Sequence, residues 1–125
     1  MPHPFVYVVD DDESVRTALK RLITSVDIPV KVFVSISDFI QSRDQQESGC
    51  LVLDVHMPGG TGFELVEYLD SIGCKLPVIF ITGHDSEDTR KRAKHCRCFA
   101  YLVKPFDDKV LLAAIDGACG TMSKE

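Results

Sequence analysis

Five short apolar runs punctuate the chain, and each is followed by a segment of different periodicity. They are Phe5 to Val9, Val30 to Val34, Leu51 to Leu53, Val78 to Ile81 and Phe99 to Val103. Runs of this length bounded by turn residues read as strands buried on both faces, a pattern that belongs to parallel sheets covered by helices. Between the first two, Val15, Ala18, Leu19, Leu22, Ile23 and Val26 recur at helical spacing, and Pro29 ends that helix. Ser35-x-x-Asp38 caps a short helix carrying Phe39 and Ile40, and the polar stretch from Arg43 to Gly49 reads as a surface loop. Thr61-Gly62-Phe63-Glu64 is a capping-box pattern. It predicts a third helix that buries Phe63, Leu65, Val66, Leu69 and Ile72 and stops at Gly73. A polar segment from Asp85 to His95 offers only Thr89, Ala93 and Cys96 as an inward stripe. The last helix begins near Asp107 and buries Val110, Leu111, Ala114 and Ile115.

Five strand–helix units and right-handed crossovers leave few topologies. The expected fold is an α/β three-layer sandwich, with a five-stranded parallel sheet of order 2-1-3-4-5 and five helices, the flavodoxin-like arrangement. With 125 residues the chain has room for one domain with a substantial core, residues 1–125 with its core over about 5–118.

In such sheets ligands lie at the carboxyl ends of the strands, beside strands 1 and 3. Asp10, Asp11 and Asp12 end the first strand, Asp54 the third, Thr82 the fourth and Lys104 the fifth. Asp54 taken alone reads equally as a turn cap. The convergence of all these groups on one edge reads as a site. Clustered carboxylates repel one another, and one lysine leaves an excess of negative charge. A hard divalent cation such as Mg²⁺ resolves it, held by one or two carboxylates with phosphate completing its shell. A carboxylate also serves as a nucleophile toward phosphorus, forming an acyl phosphate. Asp54 stands alone on its strand and suits that role, leaving Asp10 and Asp11 for the metal. Lys104 would neutralise the phosphoryl group, and Thr82 would donate a hydrogen bond to it.

The net charge of −5 argues against direct nucleic-acid contact by this domain. Arg90-Lys91-Arg92 accordingly reads as a solvated helix face. No apolar run reaches membrane-spanning length, and Met1-Pro2-His3-Pro4 lacks the layout of a secretory signal, so the cytoplasm is expected. Five cysteines, with no Cys-x-x-Cys, are expected to be reduced and mostly buried.

The sequence resembles the receiver domain of two-component response regulators, essentially from Phe5 to Ala118. The resemblance rests on Val9-Asp10-Asp11, Asp54 with Met57-Pro58 and Gly62, Thr82-Gly83, and Lys104-Pro105-Phe106. Ile81-Thr82-Gly83-His84 and the stretch from Val9 to Arg16 are similar to the branch carrying LuxR-type DNA-binding output domains. The resemblance implies that Asp54 accepts a phosphoryl group from a sensor histidine kinase. It implies that Asp11, Asp54 and the backbone carbonyl of His56 bind Mg²⁺ directly, with Asp10 acting through metal-bound water. Thr82 and Lys104 would contact the phosphoryl oxygens, Tyr101 would change rotamer with state, and Lys104–Pro105 would be cis. The face of helix 4, strand 5 and helix 5 would then control an output, with transcription the expected one, and the resemblance also implies a homodimer through helix 4 and strand 5.

Asp12 falls outside that pattern and reads as a helix-entry residue. His56 and His84 occupy variable places beside the acceptor that in this family influence how long the phosphoryl group lasts. Arg97 stands where receivers often have glycine. Helix 4, with its small stripe, is expected to be the least anchored element. A haloacid-dehalogenase-type phosphatase using Asp10 and Asp12, followed by Thr82, Lys104 and Asp107-Asp108, has the right order, but leaves Asp54 unexplained and puts Asp107 at a helix start. A binding-only pseudo-receiver conflicts with the complete acidic, Thr and Lys set. A flavodoxin-like cofactor domain would need phosphate-binding loops for a flavin, and this chain has none. The reading is of a switch that is phosphorylated rather than an enzyme turning over an external substrate.

Overall fold

Strand β1 (Phe5–Val9) leads through Asp12 into α1 (Glu13–Thr24), where the Asp12 side chain accepts the Ser14 N–H and caps the helix. The structure, a computed structural model, describes residues 5–42, 49–57, 60–96 and 98–119. Arg97, Pro58, Gly59 and most of the loop expected over 43–49 lie outside those residues. After α1, Asp27 turns the chain at φ 65° into β2 (Val30–Phe33). Ser35 then caps α2 (Ile36–Gln41) by accepting the Asp38 N–H. β3 (Gly49–Asp54) is buried along its whole length. A small antiparallel ribbon follows, β4 (His56–Met57) and β5 (Gly60–Thr61), which the sequence reading did not foresee. Thr61 forms the full capping box with Glu64 and starts α3 (Gly62–Ser71). The remaining elements are β6 (Val78–Thr82), α4 (Glu87–His95), β7 (Ala100–Val103) and α5 (Asp108–Cys119).

Five long strands form one parallel sheet in the order β2-β1-β3-β6-β7, the expected 2-1-3-4-5 topology. Alternation along the strands divides the core in two. Tyr7, Val9, Leu51, Leu53, Val78 and Phe80 pack with Phe39 of α2, Ala93 of α4 and the α3 residues Phe63, Leu65, Val66 and Leu69. Val6, Val8, Cys50, Val52, Ile79 and Ile81 pack on the other face with Leu19 and Ile23 of α1 and Leu111 and Ile115 of α5.

Four helix residues expected inside are exposed, Ala18, Val26, Ile72 and Val110, and so are Val34 and Val103 of the two edge-strand runs, which are not buried on both faces as expected. Ala18 lies on the outer flank of α1. Val26 and Ile72 lie just past the ends of their helices, where the helical angle no longer aims them inward, and Val110 sits in the first turn of α5. Phe99 precedes β7 rather than belonging to it and is 52% exposed. Its ring lies over α5 at Gly117, where a Cβ would come within 2.8 Å of it. The cysteines are all free, but only Cys50 is buried; the other four are half-buried, contrary to expectation. The Lys104–Pro105 bond is cis.

Candidate functional site

Strand register assembles the site. Val9 pairs with Leu53, so Asp10 emerges beside Asp54 at the carboxyl edge. Asp54 pairs with Ile81, and Thr82 pairs with Val103, which brings Thr82 and Lys104 to the same edge. The Lys104 N–H donates to the Thr82 carbonyl over 2.7 Å and holds the last two together.

The structure brings Asp10, Asp11 and Asp54 together, with one carboxylate oxygen from each lying within 4.8 Å of the others. Asp10 is fully buried and Asp54 is 6% exposed, whereas Asp11 is exposed. Lys104 Nζ lies 3.2 Å from Asp10 Oδ2, and the Asp12 N–H donates to Asp10 Oδ1 over 2.9 Å. Burial, then the Asp10 charge, pushes the Asp54 carboxyl up to about 6, against the opposing pull of Lys104 and of the His56 backbone N–H that donates to it. Two buried carboxylates sharing a single lysine are therefore short of positive charge. An all-oxygen donor set with that deficit fits a hard divalent cation such as Mg²⁺.

Thr82 is fully buried, and its Oγ1 accepts the His84 N–H over 3.0 Å. Tyr101 stands apart from the carboxylates and donates its hydroxyl to Asp85 Oδ1 over 2.9 Å. The His56 ring, two residues beyond Asp54, and the His84 ring, two residues beyond Thr82, meet edge to face with centroids 5.8 Å apart. Gly62 is required where the ribbon returns. A Cβ there would lie 2.8 Å from the Asp54 carbonyl oxygen and 3.0 Å from Leu53 Cγ.

Sequence reasoning missed two contacts. Arg16 Nη1 donates to the Asp10 carbonyl over 2.8 Å, bracing the strand end from α1. Its position one helical turn beyond the Asp12 cap was the available signal. The second is the Asp85 carboxylate that holds Tyr101. The phosphatase alternative finds no support: Asp12 is engaged as the α1 cap, and its bond from Ser14 holds its carboxyl below the usual range. Asp107 likewise caps a helix start, accepting the Lys109 N–H over 2.8 Å.

Residues 6–116 match the family model of the response regulator receiver domain. The chain is 37% identical over 110 residues to the response regulator protein TmoT of Ectopseudomonas mendocina, covering 88% of this chain and 50% of that protein. It is 34% identical over 120 residues to the transcriptional regulatory protein FixJ of Azorhizobium caulinodans, covering 96% of this chain and 57% of that one. The solved structure of the response regulator StyR superposes with a TM-score of 0.87 at 41% identity, over 94% of this chain and 60% of StyR. The chain thus spans about half the length of the curated relatives it matches.

Proposed function

The chain belongs to the response regulator receiver family and is a phosphoacceptor signalling switch, and on that footing we propose that Asp54 is the acceptor. One observation carries the reading: a nearly buried carboxylate at the tip of the central strand, grouped with two further aspartates and a lysine-paired neighbour. Asp54 attacks the phosphorus of a phosphohistidine on a sensor histidine kinase. A P–O bond forms as the P–N bond breaks, and the imidazole leaves and takes up a proton from solvent. Lys104 presents its ammonium to the phosphoryl oxygens, and Thr82 donates its hydroxyl to one of them. Asp10, Asp11, Asp54 and the backbone carbonyl of His56 would hold Mg²⁺. Bound there, the cation supplies positive charge against the transferring oxygens.

Phosphorylation biases a pre-existing equilibrium in which Thr82 and Tyr101 change position, altering the surface of α4, β7 and α5. Val103 and Val110, each more than a third exposed, give that surface an apolar component suited to a homodimer or to an output domain. The relatives' names support transcription as the output, reached through another domain, since the acidic receiver makes no direct nucleic-acid contact. Among the described residues no helix is long and apolar enough to cross a membrane. A cytoplasmic setting suits the kinase partnership, and the domain labels itself rather than turning over a substrate.

Intact mass after incubation with Mg²⁺ and acetyl phosphate tests the acceptor. A single phosphoryl addition is expected, absent from Asp54→Ala and absent in EDTA. Addition that survives Asp54→Ala would transfer the role to another aspartate.

A further inference from the structure

Asp85, in the loop after β6, accepts two hydrogen bonds at one oxygen. The Tyr101 hydroxyl donates to Oδ1 over 2.9 Å, and Arg90 Nε donates to the same atom over 3.0 Å. Tyr101 belongs to β7 and Arg90 to the first turn of α4, so a single carboxylate oxygen joins loop, strand and helix. The Asp85 side chain is 28% exposed and that of Arg90 58% exposed. Arg90 thus screens Asp85 and aims its oxygen, while the phenol is the less hydrated partner.

The same short loop is tied at its other end to the acceptor site. The His84 N–H donates to Thr82 Oγ1 over 3.0 Å, and Asp85 is the next residue. A Thr82 hydroxyl drawn toward Asp54 carries this bond with it or breaks it. The first moves the backbone that aims Asp85, and the second releases it.

We propose that Asp85, braced by Arg90, is a positioning residue that latches Tyr101 in the place seen here and releases it when Thr82 is drawn to a phosphoryl group on Asp54. The inference rests on the acceptor role of Asp54. Reciprocity follows: if phosphorylation weakens the latch, the latch opposes phosphorylation. Its removal enlarges the population in which Tyr101 is already free. Burial and the bond to Asp85 also raise the Tyr101 phenol above its ordinary value, as expected of a proton shared with a carboxylate.

The test follows the Tyr101 ring by NMR, with ¹³C label in all three tyrosines and Tyr101→Phe for assignment. Spectra are recorded with and without Mg²⁺ and beryllofluoride, a phosphoryl mimic, for the wild type, Asp85→Ala and Arg90→Ala. In the wild type the resonance should move on adding the mimic. In mimic-free Asp85→Ala it should lie toward the mimic-bound position, and self-phosphorylation from acetyl phosphate should rise roughly fivefold, the effect of one lost hydrogen bond on such an equilibrium. Arg90→Ala, an exposed change that keeps the Tyr101 acceptor, should move the resonance in the same direction by less. A mimic-responsive wild type with both variants at the mimic-free wild-type position overturns the latch alone. A wild-type resonance indifferent to the mimic, together with no phosphoryl addition by mass, overturns the acceptor reading and the release step with it.

Discussion

At the residue scale, Asp54 carries the sharpest pH signature. Unfolded, it ionises near the usual carboxylate value of about 4; folded and free of metal, it does so only at about 6. The folded state therefore holds the extra proton in between. The resulting stability is complete below about pH 4 and is lost as pH rises through about 6, on the order of 3 kcal/mol. Urea melts in EDTA across this window should show the decline, and Asp54→Asn should flatten it. Saturating Mg²⁺, which favours the ionised carboxylate, should flatten it too. Gly62→Ala is a second residue-scale test. Its Cβ would press on backbone at 2.8 Å, which cannot swing aside as a side-chain tip can. A cost of about 1–3 kcal/mol is expected, read as a lowered urea midpoint. Asp54, Thr82 and Lys104 were legible because each polar residue interrupts an apolar run at its carboxyl end. Arg16 and Asp85 were not, since each acts through a partner that only the folded chain brings near.

At the element scale, the helices differ in what anchors them. α3 buries five residues, from Gly62 to Leu69, whereas α4 buries only Thr89 and Ala93, with Cys96 half-buried. Small side chains remove little apolar surface from water, at about 25 cal/mol per Å². The Arg92 guanidinium, 4.6 Å over the Phe63 ring, adds a cation–π tie to α3 that the apolar pattern does not reveal. Amide exchange should still be faster in α4 than in α1, and should respond more to a phosphoryl mimic; equal protection of the two helices in both states would refute this. Thr61→Ala removes the N-cap half of the α3 capping box and should cost about 1 kcal/mol in a thermal or urea melt. Apart from the β4–β5 ribbon, element identity was readable from periodicity and caps. Element ends were read less well, because Val26 and Ile72 continue the apolar pattern after the backbone has left the helix.

At the scale of the whole molecule, the acidic cluster sits on strands that also form the middle of the core, so cation binding is coupled to global stability. A cation that binds only the folded state should raise stability by about 2.7 kcal/mol at a hundred times its Kd. Titrating Mg²⁺ against the melting temperature at neutral pH should show a saturable rise, and Asp54→Ala should blunt it. A melting temperature unmoved by Mg²⁺ would count against the pocket as a cation site.

Local chemistry written along the chain was enough to specify the alternation of strands and helices, their caps, and the polar residues that end each strand. These depend on the side-chain period and on hydrogen bonds between near neighbours, which need no folded context. Parallel pairing then follows almost by necessity, because strands apolar on both sides require helices on both faces. Which oxygen meets which donor is another matter. The grouping of Asp10, Asp11 and Asp54, the raised Asp54 carboxyl and the shared Asp85 oxygen depend on register, burial and crossings between residues far apart in the chain. Such distances are set only when both core layers close on the sheet, and electrostatic interactions take their strength from the water that closure excludes.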